Sequence, residues 1–179
     1  MNARIYVLGV DGGVSGAWAL LGDDGSLSVI DTPTRKETIN GSDRNRVDLV
    51  AMQGYLRFHQ IDLVAFEKGQ EIPRVGSDGR RRAQSGMYDY GFCNGLQLGC
   101  VATLGIEWEI VEPGAWKRRL QLLGKDKDAS LVKAIELFGA NSSNCEYFKR
   151  KSHHNRAEAA LIAYDAMIRH FSELWYGPH

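Results

Sequence analysis

Asp11, Glu67 and Glu158 are carboxylates set against apolar segments, where an acid is costly unless it is paired or holds a cation. Asp11 closes the run RIYVLGV, and Gly12 and Gly13 after it allow the sharp turn expected at a strand end. Glu67 closes IDLVAF, and Glu158 lies in the first turns of the Ala- and Leu-rich segment AEAALIAYDAMIRHF. Taken singly, Asp11 reads equally as a turn residue, Glu67 as an acid emerging into solvent, and Glu158 as a charge complementing the helix dipole. Taken together, they are oxygen ligands suited to hard cations such as Mg2+ or Mn2+. Two such ions about 4 Å apart can activate a water and stabilise the leaving oxygen in phosphodiester cleavage. Without cations the acids repel one another, so at least one should have a raised pKa. His153 and His154 offer a general base or a fourth ligand, with His154 preferred and His153 read as a solvated loop residue. Asp165, seven residues after Glu158, reads as an exposed helix acid rather than an outer partner of the site.

Sequence period and punctuation indicate the elements that must bring these acids together. RIYVLGV (4–10), SGAWALLG (15–22) and SLSVIDT (26–32) are strand-like, and Asp23-Asp24-Gly25 turns the second into the third, giving an antiparallel meander. Residues 47–59 place Val47, Val50, Ala51, Leu56 and Phe58 at near-helical spacing before IDLVAFE returns as a strand, which implies a parallel crossover. With the first and fourth strands as parallel neighbours, Asp11 and Glu67 share one sheet edge, and a helix packed across it brings Glu158 alongside. The segment 69–85 shows neither period and reads as a long exposed loop. MYDYGFCNGLQLGCVATLG is a helix with Gly91, Gly95 and Gly99 on one face, and IEWEIVEP is a fifth strand. GAWKRRLQLL is a short helix, and DKDASLVKAIELFG is a helix capped by Asp126 and closed by Gly139. Trp108 and Trp116 are assigned to the core. The result is an α/β chain with a mixed five-stranded sheet flanked by helices, read as one domain over residues 1–179.

Lys and Arg total 22 against 22 for Asp and Glu, so no global basic field announces a nucleic-acid partner and any such surface must be local. Cys93, Cys100 and Cys145 are odd in number and lack C-x-x-C spacing, which argues against a disulfide framework or structural zinc and fits a reducing cytoplasm. No apolar stretch reaches the roughly 18 residues of a spanning helix, and the start MNARIYVLGVDGG lacks the pattern of a secretory signal. The chain is therefore expected to be soluble and unprocessed, with no membrane partner.

Three segments resemble motifs of the RuvC family of Holliday-junction resolvases, whose fold is RNase H-like. GVDGGVSGAWAL resembles the first motif, LVAFEKG the second and SHHNRAEAALIAYDA the C-terminal one. The last is similar to the bacteriophage-type pattern Asp-His-x-Arg-Ala-Glu-Ala, matched by His154, Arg156, Ala157, Glu158 and Ala159. PGAWK and GKDKDASLVKAIELFG also fit, so the resemblance spans nearly the whole chain. The motifs depart from the pattern at His153, where the phage-type sequence has Asp, and at Asn155, where bacterial relatives have Asp or His. The fourth ligand thus falls on His154, with His153 and Asn155 as alternatives. The resemblance implies a homodimeric, Mg2+- or Mn2+-dependent endonuclease that cuts four-way and other branched DNA junctions in a bacterial or phage-infected cell, with the glycine-striped helix as its dimer helix.

Lys68, Arg74, Arg80, Arg81 and Arg82 form a basic cluster just after Glu67, placed to meet DNA phosphates in a salt-dependent way. Lys117, with Arg118, Arg119, Lys149, Arg150 and Lys151, would extend that surface. Met87, Tyr88 and Tyr90 could wedge against unpaired bases, although packing is the better reading. Three other functions compete: an RNase H-type nuclease for RNA–DNA hybrids, a non-catalytic junction-binding module, and an actin-like or sugar-kinase-type nucleotide-binding fragment. The last normally needs two such domains and would leave Glu67 and Glu158 without a task.

Overall fold

The computed structural model describes residues 4–39, 41–69, 87–139 and 142–175. β1 (Tyr6–Asp11), β2 (Ala17–Gly22) and β3 (Leu27–Asp31) form the expected meander. A two-stranded ribbon follows, β4 (Thr34–Ile39) antiparallel to β5 (Ser42–Val47), before α1 (Leu49–Phe58). After β6 (Leu63–Glu67) come α2 (Met87–Thr103), β7 (Trp108–Val111), α3 (Pro113–Arg119), α4 (Lys127–Phe138), α5 (Ser142–Phe148) and α6 (His154–Phe171). The main sheet runs β3-β2-β1-β6-β7, antiparallel through the meander and parallel from β1 to β7. The mixed five-stranded sheet expected from the sequence is present, while the ribbon, α5 and a 3-10 turn at Lys151–His153 are additions to it.

Period-two alternation explains how both faces of the sheet are buried. Leu8 and Val10 of β1, with Trp18 and Leu20 of β2, pack with Met52 and Leu56 of α1 and Cys93 and Val101 of α2. Val7, Ala17, Ala19 and Leu21 face the other way, toward the alanines of α6 and Ala134 and Phe138 of α4. The buried Trp18 donates its indole N–H to Gln97 Oε1 at 2.9 Å, fixing α2 against the sheet.

Helix α6 and strand β1 pack backbone to backbone. A Cβ added to Gly9 would lie 2.1 Å from the Ala159 carbonyl oxygen and 2.5 Å from the Ala163 nitrogen. Ala157, Ala159, Ala160 and Ala163 are fully buried, so small side chains on the helix and none on Gly9 let the two backbones meet. This approach places Glu158 beside the strand that ends in Asp11. Gly9→Ala would force the elements apart, at a cost of at least the roughly 1–3 kcal/mol typical of overpacking.

One assignment of burial is corrected, and the near-helical spacing over residues 47–59 does not mark the buried face of α1. Val50 and Phe58 are 77% and 85% exposed, because α1 turns Met52 and Leu56 inward instead. Trp108 is 42% exposed because β7 is an edge strand, whereas Trp116 is fully buried as expected. Gly139 caps α4, but in a right-handed conformation rather than the left-handed one that favours glycine.

Candidate active site at the strand ends

The parallel register pairs Val10 with Phe66, so Asp11 and Glu67, one residue further on, leave the sheet side by side. Gly13, at φ +91°, turns the chain away from β1 in a conformation that a side chain would strain. Two contacts pin the head of α6 to this end of the sheet. Asn155 Nδ2 donates to the Ser15 carbonyl at 2.5 Å, and Arg156 holds Asp31 through two hydrogen bonds of 2.6 Å. Glu158 therefore arrives next to both strand-end acids. One carboxylate oxygen from each of Asp11, Glu67 and Glu158 lies within 4.8 Å of the others, the one such group among the described residues.

Helices α3 and α4 orient the glutamates. Trp116 Nε1 donates to Glu67 Oε1 at 2.9 Å, and the buried Ser130 hydroxyl donates to Glu158 Oε1 at 3.2 Å. Lys117 Nζ sits 2.8 Å from the same Glu158 oxygen, with its ammonium 4.9 Å from the Trp116 ring centroid. Burial and, after it, the negative charge of Glu158 push the Glu67 carboxyl up, while the Trp116 hydrogen bond and Lys117 pull it down by less. The raised pKa expected of clustered acids is found at Glu67. Trp116, read only as core, has a second task because its buried N–H needs an acceptor. Ser130 gave no comparable signal in the sequence.

Tyr90 and Asn94 of α2 also border the site. The Tyr90 ring lies over Gly13 and Gly69: Cβ atoms added there would come within 3.1 Å and 2.6 Å of it. Burial pushes its phenol up, and the charges of Asp11, Glu67 and Glu158 act in the same direction.

The remaining site residues lie apart from this trio or outside the described residues. His154 Nδ1 is 3.3 Å from the Lys151 carbonyl, and no atom of His154 joins the acid group. His153 lies near Arg156 and Asp31, and burial, then Arg156 and Arg150, push its imidazole down. Lys68 bonds Glu112 at 2.9 Å. Arg74, Arg80, Arg81 and Arg82 fall outside the described residues. Asp165 corrects an expectation, since it is 2% exposed and held by Arg119 and Arg169, which also takes Arg119 from the free basic surface.

The sheet order, its mixed sense and the helices on both faces define an RNase H-like fold. No family model and no curated protein matches the chain. Among solved structures, it is similar to Thermus thermophilus RuvC, with a TM-score of 0.55 and 16% identity over 94% of this chain and 97% of the other. T. thermophilus RuvC in complex with a Holliday junction substrate matches with a TM-score of 0.55 and 14% identity, over 93% and 96% of the two chains. The fowlpox virus Holliday junction resolvase aligns with a TM-score of 0.45 and 11% identity, over 94% and 99%.

Proposed function

We propose that this chain is a RuvC-type endonuclease, bearing the bacteriophage-type motif in α6, that hydrolyses phosphodiester bonds in four-way and other branched DNA. The observation that carries this reading is the convergence of Asp11, Glu67 and Glu158 at the strand ends of an RNase H-like sheet. Their donor set fits hard cations: three carboxylates meet in one place, and Glu67 is driven toward its neutral form in their absence. These residues would hold Mg2+ or Mn2+, which when bound supplies the charge to activate a water and to stabilise the leaving oxygen. Trp116 and Ser130 hold the glutamates in place, and Lys117 offers positive charge to a phosphate entering beside Glu158. His154, one helical turn before Glu158 on α6, would serve as the proton acceptor or a further ligand once its ring turns from the Lys151 carbonyl toward the acids. Lys68 and the arginines at 74, 80, 81 and 82 would follow the phosphate backbone next to Glu67.

The protein would act as a homodimer in the cytoplasm of a bacterial or phage-infected cell. Gly91, Gly95 and Gly99 have open space where a Cβ would be, on a helix whose Tyr88 and Phe92 are exposed and stacked at 6.0 Å. That face suits a second copy of α2. None of the described helices is long and apolar enough to cross a membrane.

The deciding experiment is incubation of a labelled four-way junction, a linear duplex and an RNA–DNA hybrid with Mg2+, Mn2+ or EDTA. Paired nicks in the junction alone, lost with EDTA and with Asp11→Asn, are expected. Cutting of the hybrid alone would replace the reading with an RNase H-type activity, and binding without cutting in either metal would replace it with a junction-binding module.

A further inference from the structure

Tyr90 occupies a position that packing alone does not account for. It projects from α2 across the gap between two turns, the one after Asp11 and the one after Glu67. Its ring meets Gly13 on one side and Gly69 on the other, so closely that neither residue could carry a side chain unless the ring moved. Asn94, one helical turn on, reinforces the placement: its side chain lies beside the phenol, and a Cβ on Gly12 would lie 2.3 Å from its Oδ1. That Oδ1 is sealed from solvent and has no hydrogen-bond partner. Three glycines at the two strand ends thus give way to two polar side chains of a single helix. A ring serving only as packing needs no hydroxyl, and an apolar residue in place of Asn94 would leave no buried oxygen unsatisfied.

We infer that Tyr90, held by Asn94, is a substrate-positioning residue whose hydroxyl donates a hydrogen bond to a non-bridging oxygen of the phosphodiester lying over Asp11, Glu67 and Glu158. The inference rests on the nuclease reading and adds a residue that none of the three acidic motifs contains. A phosphodiester at this site is surrounded by carboxylates, so a neutral donor beside them fixes its orientation for reaction. Asn94 acts through Tyr90 and not on the substrate.

Tyr90→Phe is the decisive variant because it keeps the ring against Gly13 and Gly69 and removes only the hydroxyl. Two quantities are measured on a four-way junction: the single-turnover cleavage rate in Mg2+ at saturating protein, and the dissociation constant with Ca2+ replacing Mg2+. The expected result is a rate roughly 10- to 100-fold lower, the scale of one hydrogen bond to a charged group, with binding and Tm unchanged. Asn94→Ala is expected to lower the rate by a smaller factor in the same assay. A Tyr90→Phe protein that cuts as fast as the parent overturns the inference and leaves the nuclease reading intact. Loss of binding in step with the rate also overturns it, since the hydroxyl would then serve docking rather than the reacting phosphate. A parent protein that cuts none of the substrates overturns both.

Discussion

Glu158 and Asp165 lie two turns apart on α6, yet the protein surrounds them in opposite ways. Asp165 is 2% exposed, and Arg119 meets it with hydrogen bonds of 2.5 and 2.7 Å while Arg169 adds a third at 3.0 Å. Arg169 also bonds Glu109, as does His170. Burial pushes the Glu109 carboxyl up, but those two partners more than offset it and hold the group below the usual range. At this end of α6, two acids and two arginines balance within the fold. At the other end three carboxylates converge, Lys117 reaches Glu158, and the donor to Glu67 is a neutral indole. An acid locked into ion pairs of the fold is structural, while three carboxylates gathered on one point suit incoming cations.

The largest test of this contrast is to neutralise each kind of acid in turn. Asp11→Asn, Glu67→Gln or Glu158→Gln should lower junction cleavage by about 100- to 1,000-fold, the scale of losing electrostatic stabilisation of the transition state, while the protein stays folded. Asp165→Ala should do the reverse. Removing one partner of a buried ion pair costs about 3–5 kcal/mol, and the partial exposure of Arg119 and Arg169 places the loss near the lower end. A loss of about 3 kcal/mol corresponds to a fall in Tm of roughly 6–12 °C, measurable by differential scanning calorimetry. The cleavage rate per folded molecule should hold. If Asp165→Ala instead abolished cutting with Tm intact, the division of α6 into a structural and a functional half would be wrong.

Cation binding sharpens the same division. A ligand that binds only the folded state stabilises it by about 2.7 kcal/mol at 100 times its dissociation constant. Mn2+ should therefore raise the Tm of the parent protein and, by the same increment, that of Asp165→Ala from its lower starting point. It should leave Asp11→Asn nearly unmoved. An equal rise in all three proteins would mean that the cation binds somewhere other than the trio.

How far the sequence revealed this contrast depended on how local each signal was. Asp11 and Glu67 were legible because each closes an apolar run, and the parallel crossover then fixes their adjacency. The ribbon β4–β5 shows no strand pattern in the sequence, although Asn40-Gly41 is a strong hairpin signal, because Arg35, Lys36, Arg44 and Arg46 give its strands no apolar face. The burial of Asp165 is not legible in the sequence because its partners are 46 residues upstream, at Arg119, and one turn on, at Arg169. One aspartate in an alanine-rich helix looks the same whether solvent or an arginine faces it. Tyr90 and Asn94 were hidden for a similar reason, since the glycines they cover belong to turns far from α2 in the chain.

The smallest effect expected is also the most specific to the crowding of acids. Burial and Glu158 raise the Glu67 carboxyl above its ordinary value of 4.5, so between that value and the folded pKa the native state holds more proton than the unfolded chain. Stability of the metal-free protein must then fall as pH rises through that window, the opposite of the trend for Asp31, which Arg156 holds below the usual range. Glu67→Gln removes the penalty, because the amide is neutral at every pH and can still accept the Trp116 hydrogen bond through its oxygen. Thermal melts in EDTA from about pH 4.5 to pH 7.5 should show the variant gaining on the parent as pH rises, with a higher Tm at neutral pH. Saturating Mn2+ should reverse the order, since the cation stabilises the ionised parent and finds a weakened site in the variant. A parent that beats Glu67→Gln at neutral pH even in EDTA would mean that Glu67 is satisfied within the fold, as Asp165 is.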